Sequence, residues 1–284
     1  MPKQPYNLEF QPKERRRRDQ VLRFLGGFCA IVLLLGIVSA IALLRDDFMD
    51  QIRGALNPTE APTEPPEDVW PHTGSALFLL CETDEAQQNL RFCALVRADI
   101  TQRQIHVFPL SPQAMAPHGG AERSLEQALR DGGPKELRAA VEALTEGEVD
   151  RYVCSGDKSF QSAINLLGSV HVQVLELIDY RGADFQLRLG KGENTPLSGD
   201  MLLRYFRYLG TLKEDAALKQ GELLARVLET YLSKPRDGKQ LDALFDSLMN
   251  ILQTDIAHID FVPRREMLLD ILANGDKFTV DVRE

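Results

Sequence analysis

The chain has 284 residues, a net charge of −9 at neutral pH and 44% hydrophobic residues. This length accommodates one domain of ordinary size together with shorter flanking segments. The acidic balance excludes nucleic acid as an expected partner, because binding to phosphate groups requires a basic surface.

The first distinctive segment is the uncharged run from Phe24 to Leu44, which contains 21 residues. A helix of that length is about 32 Å long and therefore crosses the hydrocarbon core of a bilayer. Residues 1–23 carry seven basic and three acidic side chains, a net charge of +4. This asymmetry predicts a single-pass protein of the cell membrane, with 1–23 as a cytoplasmic tail, 24–44 as a transmembrane helix and the remainder extracellular. A cleaved signal peptide with its cleavage site at Val38-Ser39-Ala40 is the alternative.

Residues 45–74 are predicted to be an extracellular linker, because Pro, Thr and Glu dominate the stretch NPTEAPTEPPEDVWPHTG within them. Residues 75–284 then form the extracellular domain. Hydrophobic patterns predict strands at 76–80, 91–98, 104–110, 151–155, 170–177, 185–189 and 277–282. They predict helices at 124–129, 134–144, 157–167, 198–208, 218–232, 241–252 and 264–272. The interspersed order predicts an α/β fold with a central mixed sheet covered by helices.

Three of the four cysteines follow the apolar run, at Cys81, Cys93 and Cys154. An extracellular location permits disulfides. Cys81 ends one predicted strand and Cys93 begins the next, so a Cys81–Cys93 bridge is one hypothesis. Three buried free thiols are the alternative, and the spacing matches no zinc motif.

Most catalytic motifs are absent from the sequence, including a G-x-x-x-x-G-K-[ST] phosphate loop and a G-x-S-x-G nucleophile elbow. Acidic side chains at Glu82, Asp84 and Glu85 directly follow the first predicted strand. Carboxylates at the end of a strand can hold a divalent cation. A solvated acidic turn is the alternative explanation.

The order of several segments carries a further signal. ALFLLCETD is followed by RFCALVRADITQRQIHVFPL, and then by SLEQALRDGGPKELRAAVEALTEGEVDRYVCSGDKSFQSAINLLGSVHVQV. LSGDMLLRYFRY comes next, over residues 197–208. Together these segments resemble the extracellular domain of the LytR-CpsA-Psr family: an opening strand, a hairpin, helices around Gly-Gly-Pro, and a helix that ends in an Arg-Tyr-Arg signature. The resemblance extends from about Ala76 to Ala273.

The resemblance implies a cell-envelope function. The family transfers a glycopolymer from a polyprenyl-pyrophosphate carrier to peptidoglycan. It uses arginines and a Mg²⁺ ion held by aspartates to stabilise charge on the pyrophosphate, and a hydrophobic groove for the lipid.

This sequence departs from the family pattern at several positions. Asn89-Leu90-Arg91 stands where the family has an aspartate-containing turn, and Pro109-Leu110-Ser111 replaces Pro-Arg-Asp. The signature keeps Arg207 but has Leu209 in place of its second arginine, and Lys219 replaces an arginine of the next helix. We therefore expect a degenerate active site.

The resemblance implies a protein that binds a polyprenyl-pyrophosphate-linked glycopolymer with lost or reduced transferase activity. Arg207 and Lys219 are the expected phosphate contacts, Glu82 and Asp84 the expected ligands of Mg²⁺, and the groove is expected to be lined by Leu224, Val227 and Leu228. One alternative is an active Mg²⁺-dependent transferase with a rebuilt site. Another is a non-catalytic scaffold that recruits wall-assembly proteins through its surface. Peptidoglycan and wall-assembly proteins are the expected partners besides the membrane, and a surface or structural role is the alternative for Arg207.

Overall fold

The computed structural model describes residues 70–118, 121–212 and 215–283. The predicted cytoplasmic tail, the predicted transmembrane helix and the linker up to residue 69 lie outside the described residues. Among the residues that are described, none of the helices combines the length and the apolar character needed to cross a bilayer.

Strands and helices are interspersed along the described chain, as the sequence predicts. The strands are β1 (Ser75–Thr83), β2 (Leu90–Asp99), β3 (Gln104–Leu110), β4 (Met115–His118), β5 (Ala121–Ser124), β6 (Arg151–Ser155), β7 (Val170–Val174), β8 (Ile178–Arg181), β9 (Gln186–Leu189), β10 (Gly192–Leu197), β11 (Gln253–Thr254) and β12 (Thr279–Val282). The α-helices are α1 (Leu125–Thr145), α2 (Asp157–Leu167), α3 (Gly199–Gly210), α4 (Ala216–Leu232), α5 (Gly238–Met249), α6 (His258–Phe261) and α7 (Arg265–Ala273).

The central sheet has six strands in the order β11-β6-β1-β2-β3-β12. Strand β1 pairs antiparallel with β2 and parallel with β6, so the sheet is mixed. Successive side chains of a strand point to opposite faces. Phe78 of β1 accordingly packs with α2, α3 and α4, whereas Leu79 packs with α1. Helices therefore cover both faces, and the predicted α/β fold with a central mixed sheet is confirmed.

Several predicted boundaries change in the structure, and two of the changes have a clear cause. The helices predicted at 124–129 and 134–144 are one element, α1, with a break at Gly133, whose φ is 72°. Proline has a fixed φ and lacks an N–H, so Pro134 begins the second part at the point where the hydrogen-bond ladder is interrupted. The strand predicted at 170–177 ends at Val174, because Leu175 and Leu177 are exposed.

The hypothesis of a Cys81–Cys93 bridge is wrong, and the alternative of three buried free thiols holds only for Cys93. Cys81 is bonded instead to Cys154, with a Cα–Cα distance of 4.7 Å, and Cys93 is a buried free thiol. Cys81 lies opposite Cys93 on β2 and opposite Cys154 on β6, so the sheet offers it two partners. The sequence suggests Cys93, on the adjacent strand of the hairpin, as the partner of Cys81. The cysteine that is bonded, Cys154, lies on β6, which is distant in the chain but pairs with β1.

Candidate functional site

Four ionisable side chains meet at the carboxyl end of β1. Glu82 belongs to β1 and Arg91 to β2, next to Phe92, which lies directly opposite Glu82. Asp157 is the first residue of α2, and Arg207 lies in the last turn of α3. Strands β1 and β6 are parallel, with Glu82 beside Ser155, so the carboxyl end of β6 delivers the start of α2 to Glu82. This group of four is called the charge cluster below.

The two arginines of the charge cluster share both carboxylates. Arg91 Nη1 lies 2.6 Å from Asp157 Oδ1 and 3.5 Å from Glu82 Oε1. Arg207 Nη2 donates to the same Asp157 oxygen and also lies 3.5 Å from Glu82 Oε1. The Glu82 side chain is 3% exposed, whereas the Arg91 and Asp157 side chains are 29% and 27% exposed. The cluster is therefore open to solvent on the Arg91–Asp157 side and closed behind Glu82.

Glu82 is an unusual buried carboxyl group. Neither of its side-chain oxygens accepts a hydrogen bond from the described residues. Burial raises its pKa from 4.5 to about 8, a rise that Arg91 opposes and that Asp157 and Asp84 reinforce. Glu82 therefore holds its proton to a higher pH than an ordinary glutamate does. While Glu82 is protonated, two guanidinium groups face one carboxylate, that of Asp157, and the charge cluster is net positive.

An apolar cavity of about 80 Å³ adjoins the cluster, and Glu82 is the one charged residue in its lining. The aromatic part of the wall is tightly packed, since the rings of Phe92 and Phe206 meet edge to face with centroids 4.9 Å apart. The full lining consists of Leu80, Cys81, Glu82, Phe92, Val153, Ser155, Phe160, Ala163, Phe206, Leu224 and Leu252. The site thus brings two arginines and an apolar cavity together at Glu82.

Helix α4 holds α3 in place beside this cavity. The buried Gln220 of α4 donates from Nε2 to the carbonyl oxygen of Phe206, the residue before Arg207. Because Phe206 and Arg207 are consecutive, this hydrogen bond fixes the part of α3 that presents one side chain to the cavity and the other to the cluster.

Only some of the predicted site residues lie together in the structure. Arg207 and Glu82 lie in the charge cluster, and Leu224 lines the cavity. Val227 and Leu228, on the same helix, are buried in the core. Their predicted contact with a lipid remains a prediction.

The other two predicted polar residues lie elsewhere. Lys219 is half-buried in the first turn of α4, and no ion pair of its side chain is found among the described residues. Asp84 closes the turn between β1 and β2, where its carboxylate accepts the N–H groups of Gln88 and Asn89 and the side-chain amide of Asn89. The role of Lys219 at a phosphate stays a prediction.

Sequence reasoning missed Arg91 and Asp157. From the sequence, the stretch that contains Arg91 is interpreted only as the loss of an aspartate. A charged residue at the start of an apolar strand is the signal that points to Arg91 as a site residue. Asp157 begins the helix predicted at 157–167, and Gly156 is its N-cap. Placing Asp157 beside Arg91 requires the parallel pairing of β1 with β6, which no local pattern reveals.

Comparisons with known proteins agree with the resemblance noted above. The profile of the LytR_cpsA_psr family matches residues 83–280. The chain belongs to the LytR-CpsA-Psr family. An uncharacterized protein of Staphylococcus aureus is 24% identical over 189 residues, which are 66% of this chain and 42% of that protein. The chain therefore spans less than half the length of that relative.

Solved structures show the same LytR-CpsA-Psr fold. Bacillus subtilis TagV matches with a TM-score of 0.60 and 15% identity, over 75% of this chain and 85% of TagV. TagT bound to LI-WTA matches with a TM-score of 0.55 and 19% identity, over 79% of this chain and 84% of TagT.

The LytR-CpsA-Psr resemblance implies a Mg²⁺ ion, and the residues of this site do not fit one. Mg²⁺ takes octahedral oxygen ligands at close to 2.1 Å, and a protein usually supplies one or two carboxylates that are free to bind it, with water and substrate phosphates completing the set. Among the described residues, His, Cys, Asp and Glu side chains form no group of three that could hold a metal ion. The oxygens of Asp84 are engaged in its own turn, and Glu82 faces two guanidinium groups.

Proposed function

We propose that this chain is a membrane-anchored, extracellular LytR-CpsA-Psr protein of cell-envelope assembly. It binds a polyprenyl-pyrophosphate-linked glycopolymer and has reduced transferase activity. The observation that carries the proposal is that Glu82 lies beside two arginines and also lines an apolar cavity. This arrangement suits an amphiphile with an anionic head and an apolar tail.

The arginines supply the chemistry for the anionic head. Guanidinium groups bind phosphate oxygens with paired, charge-assisted hydrogen bonds, and Arg91 and Arg207 already converge on one oxygen of Asp157. A pyrophosphate oxygen takes the place of that carboxylate oxygen when the ligand binds. Asp157 is partly exposed and can turn to solvent, whereas the arginines remain.

The cavity offers apolar contacts for the hydrocarbon tail, but it must widen before a tail can enter. Its volume of about 80 Å³ is well below the roughly 300–1,000 Å³ of typical ligand sites. Phe160 and Leu224 are only partly buried, and they lie on α2 and α4, on the edge of the core. Rotation of these side chains admits a hydrocarbon chain between the two helices. TagT, which has this fold, has been solved as a complex with LI-WTA, and this complex supports a ligand site in the fold.

The reduced transferase activity follows from the charges of the charge cluster. Asp157 neutralises part of the cationic charge that a transferring phosphate needs, and the site does not fit the metal that the family resemblance implies. Each lost transition-state contact costs about 2.7–4 kcal/mol in reactions of this electrostatic type. Binding is therefore retained better than catalysis.

Membrane anchoring is part of the proposal and is supported by the sequence of residues 24–44 together with the +4 charge of residues 1–23. In intact cells, an externally added protease is expected to remove the region after residue 44 and to leave the N-terminal tail protected. Protection of the whole chain would contradict this orientation.

The binding proposal is tested with the full chain in detergent and a polyprenyl pyrophosphate as ligand. Arg207→Ala should weaken binding by about 10- to 100-fold, because one charge-assisted phosphate contact is lost. Arg204→Ala is the matched control, since Arg204 lies on the same helix but pairs with Asp200 and is 40% exposed. Equal affinities of the two variants and the unmodified chain would contradict the proposed site.

A scaffold role is the second candidate, and the small, phenylalanine-lined cavity favours it. If the full chain does not bind the polyprenyl pyrophosphate at all, the domain is expected to act through its surface on wall-assembly proteins. The same titration therefore separates the two functions.

A further inference from the structure

We infer that the guanidinium group of Arg91 takes the place of a divalent cation in this site, so that the anionic ligand binds without metal. The part that concerns the ligand rests on the proposed function. The part that concerns the metal stands on the charge cluster alone.

The position of Arg91 is that of a bridging cation. A single atom, Nη1, lies 2.6 Å from a carboxylate oxygen of Asp157 and 3.5 Å from one of Glu82. The two carboxyl groups come from different elements, β1 and α2, and Arg91 links them from β2. The guanidinium group of Arg91 therefore stands between two carboxyl groups, in the place that a shared metal ion takes in other proteins.

The sequence indicates how one residue, Arg91, both removes a metal ligand and supplies a cation. Arg91 belongs to Asn89-Leu90-Arg91, the stretch that stands where the family pattern has an aspartate-containing turn. Arginine at this point removes an oxygen ligand and adds a permanent positive charge. Arg207 adds a second positive charge on the same side of Glu82, which further disfavours an approaching divalent ion.

The metal half of the inference is tested directly with Mn²⁺, whose binding is read by electron paramagnetic resonance without any substrate. The full chain in detergent should show no Mn²⁺ site that depends on Glu82 or Asp157. Arg91→Asp, which places a third carboxylate beside these two, should bind Mn²⁺ at least about tenfold more tightly than the unmodified chain. Arg97→Asp is the matched control, because Arg97 lies on the same strand and is exposed.

Two results would overturn this half of the inference. One is a micromolar Mn²⁺ site in the unmodified chain that Glu82→Gln abolishes. The other is a folded Arg91→Asp variant that binds Mn²⁺ no better than Arg97→Asp. If Arg91→Asp does not fold, the titration of the unmodified chain with its Glu82→Gln comparison decides the question.

The ligand half is tested by measuring polyprenyl pyrophosphate affinity in excess Mg²⁺ and in excess chelator. The two affinities should agree within about twofold, since the cations that hold the head group are side chains. Affinity that falls tenfold in chelator would overturn the inference. Failure of the ligand to bind in either condition would contradict the proposed function and would leave the Mn²⁺ result to decide the role of Arg91.

Discussion

Glu82→Gln should make the domain more stable than the unmodified protein at pH 9, by about 2–4 kcal/mol, and should change its stability little at pH 4. The reason is the burial that raises the pKa of Glu82 from 4.5 to about 8. Below pH 4.5 the carboxyl group is protonated in both the folded and the unfolded chain. As the pH rises towards 8, the unfolded chain releases the proton while the folded chain retains it, so the stabilising effect of the bound proton is progressively lost. Glutamine is neutral throughout and avoids this loss.

The measurement is urea denaturation of fragment 70–284 at pH 4, 6, 7.5 and 9, with Glu122→Gln as the control because Glu122 is exposed. The free energy of unfolding of Glu82→Gln, relative to the unmodified fragment, should rise between pH 4.5 and 8. A difference that does not rise over this range would contradict the raised pKa of Glu82, and a difference that falls from pH 4 to pH 6 would show that Arg91 and Arg207 hold Glu82 ionised in the folded state.

Removal of the disulfide should cost about 4 kcal/mol of stability. Cys81 and Cys154 are separated by 73 residues, so their bond restricts a long loop of the unfolded chain. The double variant Cys81→Ala/Cys154→Ala should unfold at a correspondingly lower urea concentration, and a reducing agent should not weaken it further. Reduction should destabilise the unmodified fragment and Cys93→Ala by similar amounts.

Cys93 provides a second check on this pairing. Burial raises the pKa of its thiol to about 12, so Cys93 in the folded fragment 70–284 should not react with a thiol reagent at neutral pH. Peptide mapping that recovers a Cys81–Cys93 bridge would contradict the structure, and so would a fragment whose stability is unaffected by reduction.

The sequence predicts the sheet well where hydrophobic patterns are long and local. The apolar runs that begin near Ala76 and Arg91 become β1 and β2, and the helical pattern at 218–232 becomes α4 (Ala216–Leu232). The short strands β4, β5, β8 and β10 were not predicted. They contain only four to six residues each and few buried side chains, so the pattern that normally reveals a strand is absent.

The candidate site is less predictable because its residues meet through long-range pairing. Arg207 could be identified from the family signature, and Glu82 from the acidic run after the first strand. Asp157 joins them only because β6 pairs in parallel with β1, and the same pairing brings Cys154 beside Cys81. Neither contact has a local sequence signal.

The most direct test of the central claim is a crystal structure of the protein with a bound polyprenyl pyrophosphate. We expect the pyrophosphate to lie within hydrogen-bonding distance of Arg91 and Arg207, the Asp157 carboxylate to be displaced, and the hydrocarbon chain to enter between Phe160 and Leu224. A head group bound away from both arginines, or a tail outside a still closed cavity, would contradict the account.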